Sequence, residues 1–84
     1  MQVEFYGVSR ARAGIAEIDV EADTLGRLLE TLAARMPGLA ELITLDRIDP
    51  SLAVSLNGDR FISDPDTPLS PDDHVLIVSA DTGG

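Results

Sequence analysis

The stretch "VLIVSADTGG", residues 75–84, decides the fold. As an extended strand it places Val75 and Ile77 on one side and Leu76 and Val78 on the other. A strand that faces water alternates apolar with polar residues, whereas one apolar on both sides is flanked and covered. "HVLIVSA", 74–80, is therefore expected to be the central strand of a sheet. After Val78 come Ser79-Ala80-Asp81-Thr82, and then Gly83-Gly84, two residues without side chains.

Working back, "SDPDTPLSPDD" (63–73) is rich in turn formers and too rich in proline for a ladder. "SLAVSLNGDRFI" (51–62) reads as strand, turn and strand, since Asn57-Gly58 favours the left-handed angles of a tight hairpin turn. "LAELITLD" (39–46) reads as an added helical turn before "RIDP". Further back the period changes. Leu25, Leu28, Leu29, Leu32 and Met36 fall on one helical stripe, which is read as core. Asp23 or Thr24 caps this helix, and Pro37-Gly38 stops it. Gly26 in the first turn costs about 1 kcal/mol relative to Ala, which weakens that end. At the start, "QVEFYGV" and "IAEIDVE" alternate around the polar "SRARAG" and read as two strands of a hairpin.

Composition narrows the function classes. With 84 residues and 44% hydrophobic content the chain is expected to be one compact domain, 1–84, with a flexible tail from 79 to 84. Fifteen acids against six arginines, and no lysine, give a net charge of −9. Such a chain is repelled by nucleic acid and by anionic membranes, so its expected partners carry basic surfaces. Lacking lysine and cysteine, it offers no Schiff base, P-loop lysine, thiolate metal site or cysteine nucleophile. No apolar run approaches the ~20 residues of a membrane span, and "MQVEFYGV" lacks a signal peptide's basic start, so a cytoplasmic location is expected. His74 opens a strand, Asp72-Asp73 form a turn, and Arg10 and Arg12 stand at a hairpin tip; all are read as solvated structural residues, and no metal site is expected.

The element order, strand-strand-helix-strand-strand with a final central strand, is that of an α+β, ubiquitin-like β-grasp: ββαββ, a mixed sheet of four or five strands, one main helix on one face. One helix covers one face only, so the other side of the last strand is left for a protein partner. Leu76 or Val78, with neighbours such as Leu56 or Phe61, are the candidates for that docking face.

Taken together, the chain resembles the MoaD/ThiS-like sulfur carriers, the group of the molybdopterin-synthase small subunit and the thiamine sulfur carrier. The resemblance rests on "VEFYGVSRARAG", "DTLGRLLETLAARMPGL", "AVSLNGDRFISDPDTPLSPDDHVLIV" and the terminal Gly83-Gly84. It departs where molybdopterin-type carriers have a Pro-Pro step, here Ser79-Ala80-Asp81-Thr82, and where they have Gly-Asp-Glu, here Asp72-Asp73-His74.

The resemblance implies a carrier, not an enzyme. An E1-like activating partner would adenylate the Gly84 carboxylate with ATP, and a sulfur donor would convert it to a thiocarboxylate. Gly83, Thr82 and Asp81 would thread the tail to the nucleotide, glycine being favoured in a narrow channel. No cofactor would reside on the chain. The large subunit of molybdopterin synthase is the first implied acceptor; carriers for thiamine, cysteine or a specialised thio-metabolite, and a ubiquitin-like protein modifier, are the alternatives.

Overall fold

The computed structural model describes residues 1–45 and 47–80. Strand β1 (Gln2–Phe5) leads into a short helix α1 (Val8–Ala13), then β2 (Glu17–Asp19) and the main helix α2 (Leu25–Arg35). A 3-10 turn, Pro37–Leu39, follows. The short strands β3 (Ile43–Thr44) and β4 (Arg47–Ile48) form a separate ribbon. β5 (Leu52–Leu56), β6 (Arg60–Ile62) and β7 (His74–Ser79) complete the chain. The main sheet has the order β2-β1-β7-β5-β6, with β7 parallel to β1 and antiparallel to β5. This is the α+β β-grasp, and its last strand is central, as its two apolar faces require.

The leucine stripe of α2 is the core. Leu25, Leu28, Leu29, Leu32 and Met36 are all buried, against Val3 and Phe5 of β1, Val75 and Ile77 of β7, and Val54 of β5. Alternation along the strands then sends Glu4, Leu76, Val78, Ala53, Ser55 and Phe61 to the opposite face.

Four expectations change. The connection between β1 and β2 is not a simple loop: "VSRARA" forms α1, built from the good helix formers Ala and Arg, with Arg10 and Arg12 in its last turn and Gly14 as its cap. The helical turn after α2 lies at 37–39, and part of "LAELITLD" instead pairs as β3. The tail does not begin at 79, because Ser79 belongs to β7 and the Ala80 N–H donates to the Ser51 carbonyl at 2.8 Å.

Nor is the start of α2 weak. The first N–H groups of a helix have no partner within it. Here Leu25 donates to the Thr67 carbonyl (3.0 Å), Gly26 to the Pro65 carbonyl (2.9 Å) and Arg27 to the Thr24 hydroxyl (3.2 Å). The proline-rich segment is thus the acceptor that α2 lacks in itself. Gly26 is needed for this approach, since a Cβ there would lie 2.7 Å from the Leu45 carbonyl oxygen.

The β5–β6 turn is as expected, with φ of 58° at Asn57 and 65° at Gly58. Asn57 also ties this turn to the start of β7. Its Nδ2 donates to Asp73 Oδ1 (3.0 Å), its Oδ1 accepts from the His74 N–H (2.7 Å), and Asp73 Oδ2 accepts from the Ser70 N–H (2.7 Å). These bonds, the Asn57 amide first, hold the Asp73 carboxyl below its ordinary pKa. A depressed carboxylate stabilises the fold above its unfolded pKa and loses that contribution as pH falls through the folded one. The thermal midpoint should therefore hold at mildly acidic pH and decline as pH falls below the ordinary carboxylate range, and Asp73→Asn should flatten that decline. Asp49, lowered by its bonds to Ser51, titrates in the same direction and leaves a residual slope.

Candidate functional site

The sheet face opposite α2 has two halves. Towards β6 it is apolar: Phe61 is 70% exposed, and Leu76, Val78 and Ala53 are half-buried around it. Phe61 stands opposite Ser55, and Ser55 opposite Leu76, so the three form a row across the strands. A groove of about 230 Å³ borders it, between Pro50, Leu52 and Ala53 on one side and Phe61 and Ile62 on the other. Leu56 does not belong to this face. It pairs with Val75 on the helix side and is 5% exposed, so it is core and unavailable to a partner.

Towards β2 the same face is polar and acidic. Glu4 stands opposite Glu17, and Gln2 opposite Asp19. The Gln2 amide donates to the Glu17 carboxylate. The Tyr6 hydroxyl donates to Glu4 Oε2 at 2.7 Å, and this bond holds the phenol above its ordinary pKa. His74 Nε2 is 3.4 Å from the same Glu4 oxygen, close enough for an ion pair but outside hydrogen-bond geometry. The face therefore offers apolar area next to a patch of negative charge, which suits a partner surface of the opposite pattern.

Gly84, Gly83, Thr82 and Asp81 lie outside the described residues. What is described is their point of departure: β7 runs through the middle of the sheet and ends at Ser79, with Val78 on the open face just before. The row of Phe61 and Leu76 and the half-buried Val78 thus share one face of the sheet. Among the described residues no group of His, Cys, Asp and Glu could hold a metal ion, and no helix is long and apolar enough to cross a membrane.

The sequence profile of the ThiS family matches residues 3–84, nearly the whole chain and including Gly83-Gly84. The chain belongs to the ThiS family. No curated protein sequence matches it significantly. Solved structures share the fold of this ThiS-family chain. Small archaeal modifier protein 1 of Methanosarcina acetivorans superposes with a TM-score of 0.78 at 20% identity, covering 99% of this chain and 94% of that one. A putative molybdopterin converting factor subunit 1 from Pyrococcus furiosus gives 0.77 at 23% identity, covering 93% of each. A chain of the BexX/CysO complex of Amycolatopsis orientalis gives 0.79 at 18% identity, covering 99% and 98%. The ThiS family is one of small sulfur carriers and ubiquitin-like modifiers.

Proposed function

We propose that this chain is a sulfur carrier whose Gly84 carboxylate is adenylated by an E1-like partner and converted to a thiocarboxylate. The observation that carries the reading is the family match running through Gly84, on a fold whose last strand is central and bears an open face that is part apolar and part acidic. The chemistry balances without a group from the carrier's own side chains. A carboxylate oxygen of Gly84 attacks the α-phosphorus of ATP, and pyrophosphate leaves. Sulfur at the sulfide level then attacks the acyl carbon; the C–S bond forms as the C–O bond to AMP breaks. The thiocarboxylate is a soft nucleophile that an acceptor enzyme can use.

The acceptor we favour is the large subunit of a molybdopterin synthase, on the length and overall pattern of the chain. Docking would use the open face, with Phe61, Leu76 and Val78 as anchors and Glu4, Glu17 and Asp19 drawing a basic rim. Intact mass tests the chemistry. After incubation with ATP, the activating enzyme and a sulfide source, the chain should gain the mass difference between sulfur and oxygen, located on Gly84. A covalent adduct on the lysines of other proteins, with no such gain, would make it a modifier instead. For docking, Phe61→Ala should weaken binding of the activating enzyme by roughly 10-fold or more, the usual cost of an interface anchor. The thermal midpoint should stay in place, because Phe61 lies largely in solvent.

A further inference from the structure

Strand β7 outruns its neighbour. Pairing with β1 ends where Phe5 meets Ile77, yet β7 continues through Val78 and Ser79. The start of α1 takes over from a strand on that flank. The Tyr6 N–H donates to the Ile77 carbonyl at 3.0 Å. Ser9 Oγ, fully buried, lies 2.7 Å from the same carbonyl and 2.9 Å from that of Tyr6. The Val8 N–H donates to Ser79 Oγ at 3.3 Å. Gly7 lies so near that a Cβ there would come within 2.5 Å of Ser79 Oγ. On the other flank Leu52 stands opposite Ser79, and the Ala80 N–H donates to the Ser51 carbonyl. The end of β7 is thus held on both sides, one of them by a buried hydroxyl that contributes nothing to the apolar core. Neither Ser79 nor Ala80 is a proline, so hydrogen bonds rather than a ring fix the backbone here.

We propose that Ser79, gripped by the Gly7–Ser9 turn that opens α1, is a positioning residue that fixes the backbone to which residues 81–84 are attached. The inference rests on the carrier reading above. A partner that binds the open face meets a carboxylate starting from a set point and direction. If Ser79 lets go, the partner must order about one further residue before Gly84 reaches the nucleotide. That ordering acts on the rate of the bound complex, because Phe61, Leu76 and Val78 still dock.

Ser79→Thr and Ser79→Val test this, since they differ by a hydroxyl against a methyl. Initial rates of ATP-dependent sulfur loading with the E1-like adenylating enzyme are followed by intact mass, over a range of carrier concentrations. Hydrogen exchange is measured at the Ala80 amide of each free protein. Ser79→Thr should load like the wild type. Ser79→Val should lose about 5- to 30-fold in kcat, the cost of ordering about one more residue, with KM unchanged and faster exchange at Ala80. A valine variant with wild-type kcat overturns the proposal, as does a loss expressed in KM, or a threonine variant as slow as the valine one. A wild type that gains no sulfur overturns the carrier reading, and this role with it. Equal Ala80 exchange in the two variants then overturns the anchor itself, independently of any enzyme.

Discussion

Deleting Gly83-Gly84 should abolish sulfur loading and leave the fold unchanged. The truncated chain still ends in a carboxylate, now on Thr82, so the loss tests geometry rather than the mere presence of an acid. An extended chain advances at most about 3.5 Å per residue, so four residues beyond Ala80 reach about 14 Å and two reach about 7 Å. Attack on a phosphate requires the reacting atoms within about 3–3.5 Å, and a misplacement of even ~1 Å can cost about 100-fold. A shortfall of about 7 Å therefore takes the rate below detection. Thr82 also brings a branched Cβ to the place where the channel is expected to admit bare backbone. Stability should not follow. The core stripe of α2, the five-stranded sheet and the cap at Thr24 all lie before residue 81. Thermal melting and intact mass on the same sample decide the matter. A truncated chain that loads at the wild-type rate sinks the carrier reading. Gly84→Ala, which keeps the reach and adds one Cβ, should load more slowly without stopping.

The parts of this molecule that were legible in its sequence are those with a strong period. Five residues of one helical stripe announced α2 and its core, and a strand apolar on both faces announced the middle of the sheet. The docking face was legible only in part. Along "LAVSL" strict alternation places Leu52, Val54 and Leu56 together, so Leu56 was never available to the face of Ser55. Phe61 and Leu76 obeyed the alternation and lie where expected. Helix α1 left a weaker mark, since six residues are too short for a period, although Ala and Arg between Gly7 and Gly14 were a usable sign. The anchor of Ser79 could not be read at all. It joins residues about seventy positions apart through two hydroxyls, those of Ser79 and Ser9, and no local pattern encodes that.

Gly38→Ala should be the most damaging of the small substitutions, and the reason lies in α1. A Cβ at Gly38 would stand 2.3 Å from the Arg12 carbonyl oxygen and 3.2 Å from its carbon, both backbone atoms. Side-chain atoms do not come so near a carbonyl, and no rotamer change relieves a clash with main chain. The last turn of α1 would have to move. It is not free to do so, because Ser9 is bonded to Ile77 at one end and the Gly14 N–H to the Arg10 carbonyl at the other. The chain conformation at Gly38 lies outside the left-handed region that favours glycine, so alanine gains about 0.4–1 kcal/mol from a less disordered unfolded state. Overpacking costs about 1–3 kcal/mol and more where backbone must shift, so the clash wins. A net loss of about 2 kcal/mol lowers the midpoint of a domain this size by roughly 8–16 °C. Gly58→Ala is the informative contrast. Its φ of 65° is strained for alanine, but nothing lies within 4 Å of its Cβ, and the cost is the ~1 kcal/mol of a left-handed residue alone. Melting temperatures should therefore fall in the order wild type, Gly58→Ala, Gly38→Ala. The Gly38 variant should also show faster exchange at Ala80, since a displaced α1 loosens its hold on Ser79. A Gly38→Ala protein as stable as the wild type would mean that α1 does not pack over the 37–39 turn, and the anchor built on α1 would go with it.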